Sequence, residues 1–186
     1  MGTGNQQCIQ FTRSSPSYQK LDCSNQARRE QLNMATAYLD LSHLYGTSQA
    51  ENILLRTLTN GQMKTSPGVL PNRPYLPKST SLQCSLDTNQ TLKCFDGGSS
   101  DIRLNSNTPL TSMHTLFLRQ HNRIATNLAL VNPQWNDQRL FDETRRILIA
   151  SYQHMVYNEW IAATSGRFSQ EIPTPIGFGT NYNNTV

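Results

Sequence analysis

A run of about 20 apolar residues, the length that crosses a bilayer as a helix, occurs nowhere in this 186-residue sequence. A run of basic residues is also missing. The 16 lysines and arginines outnumber the 12 acidic residues, for a net charge of +4, yet Arg28, Arg29, Arg119, Arg123, Arg139, Arg145 and Arg146 alternate with apolar positions. That spacing describes solvated helix faces and argues against a nucleic-acid arm. Charged residues are sparse at 15%, but the 36% that are hydrophobic are spread along the whole chain, which argues against disorder and suffices for one domain with a core. Met1 opens onto Gly2-Thr3-Gly4-Asn5-Gln6-Gln7, which has none of the charged and apolar regions of a signal peptide. Cysteine is scarce, but its count of four is even, and two Asn-x-Thr acceptors begin at Asn89 and Asn183. A single such tripeptide arises readily by chance. Together with the cysteines it points to an oxidising, extracellular location, with the secretion signal expected upstream of Met1.

What is present organises into a mainly α pattern. Residues 1–27 are irregular, and Arg28–Ala37 has helical spacing at Leu32, Ala35 and Thr36. The stretch Thr36–Ser42 alternates with period two, as a half-buried strand does. Ala50–Thr59 reads as a short amphipathic helix closed by Asn60-Gly61, and 61–100 as a long loop region carrying Pro67, Pro71, Pro74 and Pro77. Two long helices follow. Leu110, Met113, Phe117, Ile124 and Leu128 mark one over 109–130, with Pro109 suited to its first turn. Leu140, Ile147, Leu148, Tyr152, Met155 and Val156 mark a second over 139–161, and the two stripes are expected to pack together as the core. The tail from Gly166 is rich in Gly, Pro, Asn and Thr.

Three segments carry more than pattern. Arg29-Glu30-Gln31-Leu32-Asn33 runs into Thr36-Ala37-Tyr38-Leu39-Asp40-Leu41-Ser42-His43-Leu44-Tyr45-Gly46. Asp101-Ile102-Arg103 precedes Leu110-Thr111-Ser112-Met113-His114-Thr115-Leu116. Arg119-Gln120-His121-Asn122-Arg123-Ile124-Ala125 is followed by Asn132-Pro133-Gln134-Trp135, Glu143-Thr144-Arg145-Arg146-Ile147 and Gln153-His154-Met155-Val156-Tyr157-Asn158-Glu159-Trp160. In order and approximate spacing this series resembles the animal haem peroxidase superfamily, in its peroxidasin and chorion-peroxidase branch. Leu21-Asp22-Cys23 leans toward the invertebrate members.

The resemblance implies a partial animal haem peroxidase fold, mainly α, with two long core helices and long disulfide-tied loops. Residues 1–186 would be the central portion of the domain, with the distal-histidine segment before Met1 and the proximal-histidine helix beyond Val186. It implies haem b and calcium as cofactors, hydrogen peroxide and a small reducing substrate as partners, and a part in the response to oxidative stress. Arg103 aligns with the distal arginine. Guanidinium suits that role because it stays charged and presents rigid donors; read locally, Arg103 is a surface arginine in a loop before a helix. Ser106 stands where the family usually has a glutamate esterified to a haem methyl, a link serine cannot form, and Asn107 stands where some members bond haem through sulfur. The stretch Gly97-Gly98-Ser99-Ser100 makes the approach to Arg103 longer than usual.

Thr36, Tyr38, Asp40 and Ser42 match the family's calcium loop, where hard oxygens from side chains and carbonyls are wanted. The other reading of the same residues is the half-buried strand. Cys84 and Cys94 match a family disulfide; in relatives a cysteine near Cys8 can pair upstream, so Cys23 is either its local partner or a free thiol. His43, His114, His121 and His154 are expected as packing or surface histidines, Met113 as a core methionine, and Arg123, Glu143 and Arg145 as structural ion-pair residues. Three functions compete: a fragment of a hydrogen-peroxide-dependent oxidoreductase, a non-catalytic binding product of the same fold, and an unrelated helical adaptor with a basic face. The last explains neither the cysteine loop nor the motif series.

Overall fold

The computed structural model describes residues 31–33, 35–79, 95 and 102–165, which fall into two compact units, Met1–Tyr38 and Leu39–Val186. The described residues of the first unit are a bridge residue, Gln31, followed by bends and irregular chain. The helix expected over 28–37 is therefore absent from its described part, and the period-two stretch forms no strand.

The second unit begins with a kink. Leu41 holds φ 54°, a left-handed conformation that strains a branched side chain by about 1–3 kcal/mol. It persists because the turn buries Leu41 to 1% exposure and starts helix α1, Ser42–Tyr45, whose Leu44 and Tyr45 are fully buried. Asp40 Oδ1 accepts the Ser42 N–H at 2.9 Å, which pairs one of the donors a helix start leaves open. Period-two alternation was thus mimicked by a turn that sends Leu41 and Leu44 to the same core.

Helix α2 spans Gln49–Leu55, with the Ser48 hydroxyl accepting the Glu51 N–H and the Glu51 carboxylate reaching back to the Thr47 N–H. It ends four residues earlier than the sequence pattern suggested. Arg56 is extended and bridges to Met63, and Asn60 and Gly61 turn the chain between them with φ 53° and 66°. A Cβ on Gly61 would lie 2.7 Å from the Phe141 nitrogen, so only glycine fits there.

A 3-10 turn, Ile102–Asn105, leads into α3, Thr108–Val131. Asn107 caps α3 by accepting the Leu110 N–H, and Pro109 sits in the first turn, where its missing N–H costs nothing. After Asn132, helix α4 spans Asp137–Met155, capped by Asn136, and continues through a π-turn at Val156–Trp160 into α5, Ile161–Ser165. The helices α3 and α4 do pack together. Their buried face, however, is only partly the predicted stripe. Phe117, Leu118, Leu140, Phe141 and Leu148 join Leu41, Leu44, Tyr45, Met63, Leu76 and Leu104 in the core, while Leu110, Met113, Ile147 and Met155 are exposed. Met113, expected as a core methionine, is 49% exposed. His114, Thr115, His121 and Thr144 are buried in those two helices instead. Isolated β-bridges join Arg56 to Met63, Ser66 to Tyr75 and Lys78 to Phe95, and the described residues form no sheet.

Candidate functional site: the Arg103 turn and its supports

Arg103 is the second residue of the 3-10 turn, and its side chain is exposed. Its neighbours hold the turn from several directions. Leu104 is buried in the core, and the Thr111 hydroxyl on α3 donates to the Leu104 carbonyl at 2.7 Å. Ser106 donates to the Arg103 carbonyl twice, from its N–H at 2.9 Å and its hydroxyl at 2.7 Å. The serine expected in place of an ester glutamate therefore closes the arginine's own turn. Asn105 pairs its side-chain amide with the Phe95 backbone: Oδ1 accepts the Phe95 N–H at 3.0 Å, and Nδ2 donates to the Phe95 carbonyl at 2.9 Å. Nothing in the sequence signalled Asn105 or Thr111, because a side-chain amide bonded to a distant backbone leaves no periodic trace.

The calcium set divides between the two units. In the first, the Tyr38 N–H donates to Thr36 Oγ1 at 3.1 Å; in the second, Asp40 Oδ1 is engaged by the Ser42 N–H. Among the described residues no group of three or more His, Cys, Asp or Glu side chains comes together. Cys8, Cys23, Cys84, Cys94, Asn89 and Asn183 lie outside the described residues.

Farther along its length, α3 carries a buried polar clasp. His121 is fully buried, with Nε2 2.9 Å from the Gly61 carbonyl and Nδ1 2.8 Å from the Tyr45 hydroxyl. A carbonyl only accepts, so Nε2 carries the hydrogen, Nδ1 is the acceptor, and the Tyr45 O–H donates to it. Burial lowers the His121 pKa from 6.5 to about 4; the bond to Gly61 opposes that shift and the Arg56 charge adds to it. Burial likewise raises the Tyr45 pKa, against the pull of the Arg145 charge. Arg56 is itself buried. It pairs with Asp137 at 2.6 Å, donates to Gln138 at 2.8 Å and lies 4.0 Å over the Phe141 ring. Asp137 completes the clasp by accepting the Gly61 N–H at 2.6 Å.

With both ring nitrogens engaged, His121 is unsuited to bind iron. His114 is buried with Nδ1 donating to the Leu110 carbonyl at 2.8 Å, and His43 packs edge-on among His114, Phe117 and Tyr152. His154 is exposed and sits 3.1 Å from the Asn158 amide. Arg123 bonds Gln120, Glu143 pairs with Arg146 on the α4 surface, and Arg145 lies 5.2 Å over the Tyr45 ring. The histidines take packing and surface roles, as expected from the sequence; of the three residues expected in ion pairs, Glu143 forms one, while Arg123 meets an amide and Arg145 a ring.

The comparison with known proteins is decisive at the level of family. A family model described as animal haem peroxidase matches residues 1–186. The chain belongs to the animal haem peroxidase family. A peroxidasin homologue of Caenorhabditis elegans, pxn-2, is 36% identical over 194 residues, which is 96% of this chain and 14% of that protein. The chorion peroxidase of Aedes aegypti is 37% identical over 157 residues, 82% of this chain and 19% of that one. Peroxidase A from Dictyostelium discoideum superposes with a TM-score of 0.65 at 32% identity, covering 82% of this chain and 29% of that structure. This peroxidase-family chain thus has the mainly helical fold of its relatives and spans less than a third of their length.

The family is named for haem. Toward a haem group the described residues offer one cation and exposed apolar side chains. The exposed Arg103 offers a rigid cationic donor on a turn held at its carbonyls, and the exposed Leu110 and Met113 follow it on the first turns of α3. His121 does not fit the axial position, since both of its ring nitrogens are engaged inside the protein.

Proposed function

We propose that this chain is the central part of a secreted, hydrogen-peroxide-dependent haem peroxidase, to which it contributes the distal arginine, Arg103, and part of a calcium loop. One observation carries the reading: in a chain matched end to end by the family, Arg103 sits on a turn whose carbonyls are tied by Ser106 and Thr111, so its backbone is preorganised. Haem, when bound, supplies the iron at which the peroxide O–O bond is broken. Arg103 would hold a fixed positive charge where negative charge develops on the peroxide oxygen. It carries no base to take and return the peroxide proton, so that task falls to a distal histidine on an adjoining segment. Ser106 leaves the ester link to haem unmade. Thr36, Tyr38, Asp40 and Ser42 contribute oxygens to calcium, Cys84 and Cys94 form a disulfide, and Asn89 and Asn183 accept glycans in the secretory pathway. Consumption of hydrogen peroxide against a small reducing substrate places the complete protein in the response to oxidative stress.

The test has two arms. The purified 186-residue chain mixed with haem and peroxide is expected to give no robust guaiacol or iodide turnover, because the axial ligand and the proton carrier are supplied by adjoining segments. In the complete haem-loaded domain, Arg103→Ala is expected to slow peroxide cleavage by about ten- to a thousandfold. Turnover by the chain alone that disappears in Arg103→Ala would refute the division of labour, and unchanged cleavage in the complete domain would refute the role of Arg103.

A further inference from the structure

The contacts around Arg103 close into a strap that begins and ends on α3. Arg119, in the middle of α3, donates from Nε to the Pro74 carbonyl at 2.7 Å and from Nη2 to the Arg73 carbonyl at 3.2 Å, with its guanidinium 5.6 Å from the Tyr75 ring. Tyr75 exchanges two backbone bonds of 2.9 Å with Ser66, and its ring lies 6.1 Å from that of Phe95. The Phe95 backbone bridges to Lys78 on one side and is clasped by the Asn105 amide on the other. Asn105 ends the turn that carries Arg103, and that turn returns to α3 through Leu104 and the Thr111 hydroxyl. Positions 111 and 119 are eight residues apart, about 12 Å along a helix. The turn is thus held from α3 at two separated points.

We propose that Asn105 is a positioning residue for Arg103: its amide, standing in for a backbone ladder partner of Phe95, uses the Arg119–Tyr75–Phe95 strap to hold the arginine's turn in register. The proposal rests on Arg103 being the distal arginine. A primary amide suits the task because it offers one acceptor and two donors in a plane, which matches the N–H and C=O that one extended residue presents. Without that clasp the turn keeps Ser106 and Thr111, so it persists, but its lateral position is no longer tied to the 66–78 region. Loss of placement on the scale of an ångström is what catalysis feels most strongly.

The test compares two measurements on Asn105→Ala. In the 186-residue chain, amide exchange at Phe95 is expected to accelerate at least about tenfold, while the melting temperature and the exchange of Leu118 and Leu148 stay the same. In the complete haem-loaded domain, peroxide cleavage is expected to slow by about ten- to a hundredfold, with KM for the reducing substrate unchanged. Asn105→Asp keeps the acceptor for the Phe95 N–H and loses the donor, and should fall between wild type and Asn105→Ala in both. Arg119→Met cuts the strap at its other end, so adding it to Asn105→Ala should cost little further rate; fully additive losses would overturn the single strap. Unchanged Phe95 exchange would overturn the clasp. Faster exchange with undiminished cleavage, in a domain where Arg103→Ala is slow, would overturn the positioning role. If Arg103→Ala itself leaves cleavage intact, the assignment of Arg103 fails, and the positioning role fails with it.

Discussion

Acidification should loosen this protein through His121, and the size of the effect follows from its surroundings. The ring is fully buried, donates from Nε2 to the Gly61 carbonyl and accepts the Tyr45 hydroxyl at Nδ1. A proton on Nδ1 would face the Tyr45 hydroxyl from α1 and the Arg56 guanidinium of the adjoining turn, with Arg145 of α4 over the tyrosine ring. Among the described residues no carboxylate contact offsets the charge; Asp137 is already engaged by Arg56 and the Gly61 N–H. The folded state therefore takes up that proton only near pH 4, whereas the unfolded chain does so near 6.5. Between those values the unfolded state binds more protons, so stability is full above about pH 6.5, falls as the pH drops, and stops falling below about 4. A shift of that size is worth about 3 kcal/mol. The assay is urea unfolding of the chain, followed by circular dichroism from pH 7.5 to 4, for wild type and His121→Gln. Glutamine keeps a donor for the Gly61 carbonyl and does not titrate, so the wild type should lose about 3 kcal/mol relative to the variant across that range. Proton NMR of the His121 ring gives an independent readout. A midpoint near 6.5, or a slope that persists undiminished in His121→Gln, would refute the reasoning.

The other predictions concern the same core. Asp137→Ala should destabilise by about 3–5 kcal/mol, because it strands the buried Arg56 guanidinium, and restoring an apolar partner with Arg56→Met in the same chain should recover part of the loss; urea midpoints measure both. Phe117→Ala should cost about 3–5 kcal/mol, whereas Met113→Gln on the same helix should stay within about 0.5 kcal/mol, since Phe117 is buried and Met113 is exposed. Equal losses in that pair of thermal melts would restore the predicted stripe.

The two long helices were legible because each announces itself locally. Asn107 and Pro109 start α3, Asn136 starts α4, and the apolar spacing between caps is helical in both. Family membership was legible for a related reason: an ordered series of short motifs survives in sequence even where the surrounding loops have changed. The short elements were misread. Thr36–Ser42 alternates like a strand, but Leu41 in a left-handed conformation sends Leu41 and Leu44 into one core, and α2 stops at Leu55 because Arg56 is drawn out to meet Asp137 and Gln138 across the fold.

By itself, then, the sequence determined where the long helices start and where the first one stops, though not that the second gives way to a π-turn after Met155; it also determined which family the chain belongs to and which arginine is the candidate for the distal site. Those properties depend on neighbours within a turn or on residue identity alone. Tertiary structure decided which side of each helix is covered, since periodicity sets the direction of a stripe without saying what lies against it: α3 buries His114, Thr115 and His121 and leaves Leu110 and Met113 exposed. It also decided which polar side chains matter. Asn105 reaches Phe95, Asn122 reaches Met63, and His121 joins Gly61 to Tyr45. At Met63 and Gly61 a backbone group turned away from solvent had to find a partner, and the side chain that reached it lay 59 and 60 residues along the chain.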